Sequence, residues 1–240
     1  MARTPSVVTA ERFASGRTFE QYLAYIGSPE NLKREGSGGA VRRDLSAQIR
    51  AWHEASRLRE AQTAAWKWLA SQAGGPAKIL VISEDWSSYC RRDVPMLARL
   101  AEAASLELRI FNRDGQRFGR SQQPSLAEAP DSNADLMAEF LNVKNGQTWQ
   151  SIPVAVFYTK DLEYLYHYVE YPAIYHKDRV RGHLVAPQPG ETPAETRERG
   201  DRDFRALQQS PFFRIWAAAG VDEIISALHE HLTVGSAPGR

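Results

Sequence analysis

The residues best suited to chemistry are Ser87 and Cys90, which stand three positions apart. Cys90 is the single cysteine of the chain. It follows a short apolar run, residues 78–82, and precedes a stretch with helical spacing. This placement predicts that residues 87–90 form the first turn of a helix, where free N–H groups and the helix dipole favour an anion. A cysteine thiolate in such a turn is stabilised, which is how redox enzymes lower a cysteine pKa.

Strands and helices alternate around this segment. Residues 78–82 are apolar throughout, as in a buried strand. Residues 106–110 alternate with period two and predict a second strand. Two more strands are predicted at 153–158 and 162–169, around a tight turn at 159–161. Helices join the first three strands in succession, so these are expected to be parallel, whereas the last two are close enough for an antiparallel hairpin.

Helical patterns occupy both ends of the chain. Residues 18–21 have the form of a capping box, and apolar spacing predicts one long helix from about 41 to 73. Residues 112–134 contain several breaks and predict a loop or insertion, with a short helix after it. A second capping box at 192–195 opens helices that continue to about His231.

The order of Trp86, Ser87, Cys90 and Pro95 after an apolar strand is typical of a known family. Trp86 directly precedes Ser87, and Pro95 follows five positions after Cys90. In this the chain resembles the thioredoxin superfamily, whose pattern is an apolar strand, Trp-Cys-x-x-Cys at a helix start, and a proline at the same distance. Cys90 stands in the place of the family's second cysteine, and Ser87 in the place of the attacking one.

The resemblance extends over about residues 76–170, with its elements in the family's order. Residues 106–114 resemble the family's intervening strand with its trailing aspartate. Ile152-Pro153 resembles the apolar-proline pair that is cis in known members. The resemblance implies a thioredoxin-like α/β fold, a central mixed sheet flanked by helices, in a single elaborated domain, 1–240. The expected parts of that domain are a core at about 76–170 and helical extensions at 1–75 and 171–240.

The resemblance also implies a place for a peptide. In the family, the loop with the proline offers backbone groups to an extended peptide substrate, and β-type pairing holds a peptide without any redox step. A protein or peptide, as a thiol or disulfide partner, is therefore the expected class of ligand. The expected substrate-contacting residues are Trp86, Tyr89, Ile152 and Pro153.

Two departures from the family pattern bear on activity. Ser87 stands at the attacking position, and Val81 stands six residues earlier, where thioredoxins keep a buried acid for proton transfer. Disulfide exchange needs one thiolate to attack and a second thiol to release the mixed disulfide. Dithiol exchange is therefore predicted to be absent, the oxidoreductase-like site is incomplete, and any redox role would use Cys90 alone.

Cys90 and Ser87 each allow two interpretations. Cys90 is either a small buried core residue or a lone reactive thiol that Arg91 and Arg92 surround with positive potential. In the first case, the two arginines are solvated charges on the face of the helix. Ser87 is either a natural residue that caps the helix or an engineered Cys→Ser replacement. Two functions follow. In the first, Cys90 forms a mixed disulfide that an external thiol releases, and in the second the chain is a redox-inactive module that binds a protein or peptide.

Composition argues against several other classes. The chain has 240 residues, of which 25% are charged, and its net charge at pH 7 is +1, whereas nucleic-acid-binding proteins are usually basic. The longest apolar run, 152–158, is too short to cross a bilayer, and residues 1–20 show no signal peptide, so a cytoplasmic location without membrane contact is expected. One cysteine excludes an internal disulfide and a zinc site of several thiolates. No metal and no cofactor are expected, and the oligomeric state is left open.

Overall fold

The architecture alternates helices and strands around one central sheet. A computed structural model describes residues 6–235, apart from the side chains of Ile174, Lys177 and Asp178; the outer ends of the expected 1–240 domain lie outside these residues. The helices are α1 (Ala10–Ala14), α2 (Phe19–Ile26), α3 (Pro29–Leu32), α4 (Ser46–Ala55), α5 (Glu60–Ser71), α6 (Ser88–Ala103), α7 (Ala134–Glu139), α8 (Lys177–Val185), α9 (Pro193–Gln209) and α10 (Pro211–Val234). The strands are β1 (Lys78–Ser83), β2 (Glu107–Asn112), β3 (Asn142–Lys144), β4 (Gln147–Trp149), β5 (Val154–Tyr158) and β6 (Tyr164–Val169).

Four of the strands form the central mixed sheet, in the order β2-β1-β5-β6. β1 and β2 are parallel, with Lys78 opposite Glu107, as predicted. β5 is antiparallel to β1, with Ile82 opposite Val154, and antiparallel to β6. The expectation that the third strand would be parallel to the first two is wrong, because the chain enters β5 beside the end of β1 and runs back along it.

The direction of β5 also explains how distant segments meet. Parallel strands end at the same edge of a sheet, so the chain leaves β1 and β2 on one side. Residues 113–153, which include α7 and the β3–β4 hairpin, connect that edge to the start of β5. Residues 86–89, Arg113, residues 118–122 and residues 148–152 consequently line one cleft at this edge.

Helices cover the sheet. Residues 79–82 and 154–157 are fully buried, as expected for strands with both faces covered. α6 packs against β1 and β2, α10 packs against β6 and α6, and α2 packs against β2. One cluster of buried apolar side chains therefore includes residues from the N-terminal helices, the sheet and the C-terminal helix. Its members include Tyr22, Ile26, Trp66, Ile79, Val156, Ile224 and Leu228.

The single long helix predicted over 41–73 is wrong. α4 and α5 are separate helices, joined by extended backbone at Ser56 and Arg59. The break redirects α5 so that Trp66 Nε1 donates a hydrogen bond to the carbonyl of Leu100, with 2.7 Å between the heavy atoms. Apolar spacing continues through the break because both helices face the same core.

The helix-start signals at both ends of the chain are confirmed. Thr18 with Gln21 and Thr192 with Glu195 form reciprocal capping boxes at α2 and α9. Among the helices between residues 6 and 235, none is both long and apolar enough to cross a membrane.

Candidate functional site

Ser87 is the N-cap residue of α6. Its backbone is extended (φ −76°, ψ 121°), and its Oγ accepts a hydrogen bond from the N–H of Cys90, with 3.4 Å between nitrogen and oxygen. The first N–H groups of a helix have no partner within the helix, and a serine hydroxyl at the N-cap satisfies one of them. Ser87 thus supplies a cap at the position where the family pattern has an attacking sulfur.

The Cys90 thiol lies in the core, with 1% of the residue exposed. The backbone N–H of Glu84 donates to Sγ at 3.5 Å. Burial raises the pKa of the thiol to about 11, because desolvation outweighs the hydrogen bonds from Ser83, Glu84 and Ser87 that favour the thiolate. The low thiol pKa that a helix start can produce is not found, and Cys90 has the surroundings of a buried core residue.

The two arginines after Cys90 differ from each other. Arg92 is buried and forms a bidentate pair with Asp93, with Nε–Oδ1 and Nη2–Oδ2 distances of 2.6 Å. The interpretation as a solvated helix charge is therefore wrong for Arg92. Arg91 is partly buried, and its Nη1 donates to the carbonyl oxygens of Asp85 and Trp86 at 2.9 and 2.8 Å.

A buried ionic network fixes the backbone immediately before the site. Glu84 pairs with Arg34 (Nη2–Oε1, 2.6 Å) and with Arg42 (Nη1–Oε2, 2.8 Å), and Arg42 also pairs with Asp85. Burial raises the pKa of Glu84, although both arginines oppose this shift. The network ties the connector between α3 and α4 to the end of β1, and so positions Trp86. No sequence pattern predicted it, although two acidic residues directly after an apolar strand were a usable signal.

An open cleft of about 900 Å³ lies over the start of α6. Its volume is in the range of ligand-binding clefts. Of the six residues predicted for the site, Trp86, Ser87, Tyr89 and Ile152 line this cleft, whereas Cys90 and Pro153 are buried outside its lining. The Ile152–Pro153 peptide bond is cis.

The segment after β2 and the β3–β4 hairpin form two walls of the cleft. Trp86 packs edge-on against Phe118, with 5.2 Å between ring centroids, and its Nε1 donates to Asp114 Oδ2 at 3.3 Å. The hairpin contributes Thr148 and Trp149. Because Trp86 is held by residues of the predicted insertion, that insertion shapes the site.

Helix α9 forms the remaining wall, which no sequence pattern predicted. Gln208 Nε2 donates to Ser88 Oγ at 3.1 Å, and Phe204 packs against Tyr89 with 6.3 Å between ring centroids. The C-terminal extension thus closes one side of the cleft directly over the first turn of α6.

Ile152 brings unpaired main-chain groups to the cleft. Within residues 6–235 its backbone N–H and C=O form no hydrogen bond, and the residue lines the cleft although only 4% of it is exposed. Such groups can pair with the backbone of an extended peptide. Over the same residues, no group of three His, Cys, Asp or Glu side chains lies close enough together to hold a metal ion.

Comparisons with known proteins identify a family and a shared fold. A family model described as Thioredoxin matches residues 41–180. No curated protein matches the chain. A crystal structure of a protein of unknown function from Pseudomonas aeruginosa is 15% identical, with a TM-score of 0.50, and the match covers 94% of this chain and 98% of that one. The crystal structure of an HIV epitope scaffold is 14% identical, also with a TM-score of 0.50, over 97% of this chain and 100% of that one. At these identities the likeness shows the fold alone.

Proposed function

This chain belongs to the thioredoxin superfamily, and from that premise we propose that it binds an extended segment of a partner protein without dithiol exchange. The observation that carries the proposal is the separation of the thiol from the cleft. Cys90 is 1% exposed and lies outside the cleft lining, whereas Ser87 lines the cleft at the attacking position.

The state of Cys90 argues against thiol chemistry in the folded protein. The thiolate is the nucleophile in disulfide exchange. With a thiol pKa raised to about 11, roughly one Cys90 side chain in ten thousand is ionised at pH 7. A partner disulfide would also need to displace the side chains that cover the sulfur, so binding and exchange would be separate events.

Two features of the cleft support peptide binding. The unpaired backbone groups of Ile152 would pair with the main chain of a peptide, and the half-buried ring of Trp86 would supply an apolar contact surface. The β3–β4 hairpin and α9 line the same cleft as this segment. A peptide lying along Ile152 would therefore contact residues from four parts of the chain.

The test is selection from a random-peptide library on the immobilised full-length protein, in a buffer with a thiol reductant. We expect peptides to be enriched and to bind wild type and Cys90→Ser with equal affinity. Ser88→Trp, which puts a large side chain into the cleft, is expected to abolish binding. Ser71→Trp, at an exposed position of α5 outside the cleft, is its matched control.

Two outcomes would overturn this proposal. Binding that is lost in Cys90→Ser, or that the reductant abolishes, would assign the chain to single-thiol chemistry, in which Cys90 forms a mixed disulfide that an external thiol releases. Failure to enrich any peptide over the protein-free surface would show that the cleft is not a peptide-binding site.

A further inference from the structure

Basic side chains predominate along the cleft. Among the side chains that the structure describes, five arginines and two carboxylates line it. Two of the arginines are neutralised within the chain: Arg113 pairs with Asp114 (Nε–Oδ1, 2.8 Å), and Arg120 pairs with Glu35 (Nη2–Oε1, 2.7 Å). The charges of the other three arginines therefore decide which ligand the cleft favours.

Arg91, Arg181 and Arg205 form no ion pair with any carboxylate among the described residues, and Asp85, whose charge acts on Arg91, is itself paired with Arg42. Arg91 is partly buried at the first turn of α6, and the groups that its Nη1 contacts are neutral carbonyls. A partly desolvated cation without a counter-ion is stabilised when an anion binds beside it.

The three arginines come from different parts of the cleft. Arg91 belongs to α6, whereas Arg181 and Arg205 are exposed side chains of α8 and α9. The guanidinium of Arg181 lies over the ring of Phe204, 5.6 Å from its centroid, and Phe204 packs against Tyr89. The positive charges thus lie at the first turn of α6 and on α8 and α9, and a single extended ligand in the cleft would meet all three.

The two acidic residues of the cleft do not cancel this charge. Glu170 Oε2 lies 3.7 Å from Lys144 Nζ, which offsets its charge. Asp201 is exposed on α9 and has no ion pair among the described residues. Among the described residues, the cleft therefore holds three arginines without an ion pair and one such carboxylate.

We propose that the cleft selects acidic peptides, whose Asp or Glu carboxylates bind Arg91 on α6 and Arg181 and Arg205 on α8 and α9. The proposal rests on the peptide-binding function above and names its ligand class. Arginines and aromatic rings also suit single-stranded nucleic acid. The peptide is favoured because the unpaired N–H and C=O of Ile152 together match the donor and acceptor that each residue of an extended peptide offers, and because the net charge of the chain is only +1.

The experiment compares matched pairs of arginine variants on the selected peptides. Arg181→Gln/Arg205→Gln removes two charges from the cleft, and Arg197→Gln/Arg214→Gln removes two exposed charges from α9 and α10 outside it. We expect the selected peptides to be rich in Asp and Glu. Their affinity for the cleft variant should be about tenfold lower than for wild type. The control variant is expected to bind within about twofold of wild type. Replacing Glu by Gln in the peptides should lower their affinity for wild type by a similar factor. Added salt should also lower the affinity of the acidic peptides for wild type.

The outcomes separate the two proposals. The library could yield peptides that bind wild type and not Ser88→Trp, yet are not enriched in acidic residues. That result would overturn the acidic preference, while peptide binding would stand. A library without any enriched peptide would overturn peptide binding itself. An oligothymidylate that competes with the peptides and loses affinity in the cleft variant would assign the cleft to nucleic acid instead.

Discussion

Ser87 and Cys90 have different surroundings although three positions separate them. Ser87 Oγ caps the helix and lines the cleft, whereas the Cys90 sulfur is desolvated in the core. A thiol at position 87 would take the N-cap place itself. There the N–H groups of the first turn and the helix dipole stabilise a negative charge on sulfur.

We therefore expect Ser87→Cys to create a reactive thiol while Cys90 stays unreactive. The introduced thiol should titrate below the free-cysteine value of about 8.5, because it stands at the start of α6. Cys90 should stay protonated, since burial raises its pKa to about 11. Iodoacetamide labelling across a pH series, read by mass spectrometry, should add one label to the folded variant and none to folded wild type below about pH 8.

Unfolded wild-type protein is the control, and it should accept one label at Cys90. Rapid labelling of Cys90 in folded wild type, with a midpoint below about 8.5, would contradict the prediction and favour single-thiol chemistry. Insulin reduction by Ser87→Cys would additionally show that the surroundings, including Val81 in place of a buried acid, still permit dithiol exchange.

At the scale of elements, a buried ion pair fixes α6 against its neighbours. Arg92 Nη2 donates to the carbonyl of Glu170 at 3.0 Å, and its guanidinium lies 4.9 Å from the centroid of the Phe213 ring. Asp93 Oδ2 accepts a hydrogen bond from Tyr168 at 3.2 Å. The pair thereby connects α6 to β6 and to α10, and it stabilises the helix over whose start the cleft lies.

Asp93→Asn is expected to lower the free energy of unfolding by about 3–5 kcal/mol, because it leaves the Arg92 charge buried without its counter-charge. Urea unfolding followed by circular dichroism measures the change. Glu230→Gln, at an exposed position of α10, is the control and should change stability by less than about 0.5 kcal/mol. Equal small effects of both substitutions would mean that the surrounding rings and the Glu170 carbonyl balance the Arg92 charge.

The elements that the sequence predicted correctly depend on local signals. The capping boxes at 18–21 and 192–195 are such signals, because their hydrogen bonds join residues three positions apart. The β3–β4 hairpin, which was not predicted, also has a local signal in the sequence. Asn145 and Gly146 form its turn with φ values of +52° and +74°, and Asn-Gly is the strongest short-range hairpin signal. That hairpin could therefore have been predicted, whereas the break within 41–73 could not, since apolar spacing continues across it.

The candidate site divides in the same way. Trp86, Ser87 and Tyr89 were predicted because one short segment contains them between a strand and a helix. Gln208 was not, because it meets Ser88 from 120 positions away. Nothing in an amphipathic helix shows which distant surface its polar face will contact, so the α9 wall could be found only from the folded structure.

At the scale of the whole molecule, the helical extensions supply part of the core. The family match covers residues 41–180, yet side chains outside that range are buried against the sheet and α6. The likeness to the two solved structures extends over almost the whole chain, extensions included. These facts favour a single folding unit, which stays a prediction. The buried side chains outside the matched range include Tyr22, Ile26, Trp216, Ile224 and Leu228.

We expect the full chain to unfold in one transition and a fragment of residues 41–180 not to fold. Each large apolar side chain contributes about 1.5–3 kcal/mol on burial. Loss of the five named above is therefore comparable with the whole stability of a typical domain, about 5–15 kcal/mol. Urea curves from tryptophan fluorescence and circular dichroism should coincide for the full chain, and the fragment should show no cooperative transition. Two separate transitions, or a fragment that unfolds cooperatively, would mean that the extensions are independent units and that α9 can leave the cleft while the sheet stays folded.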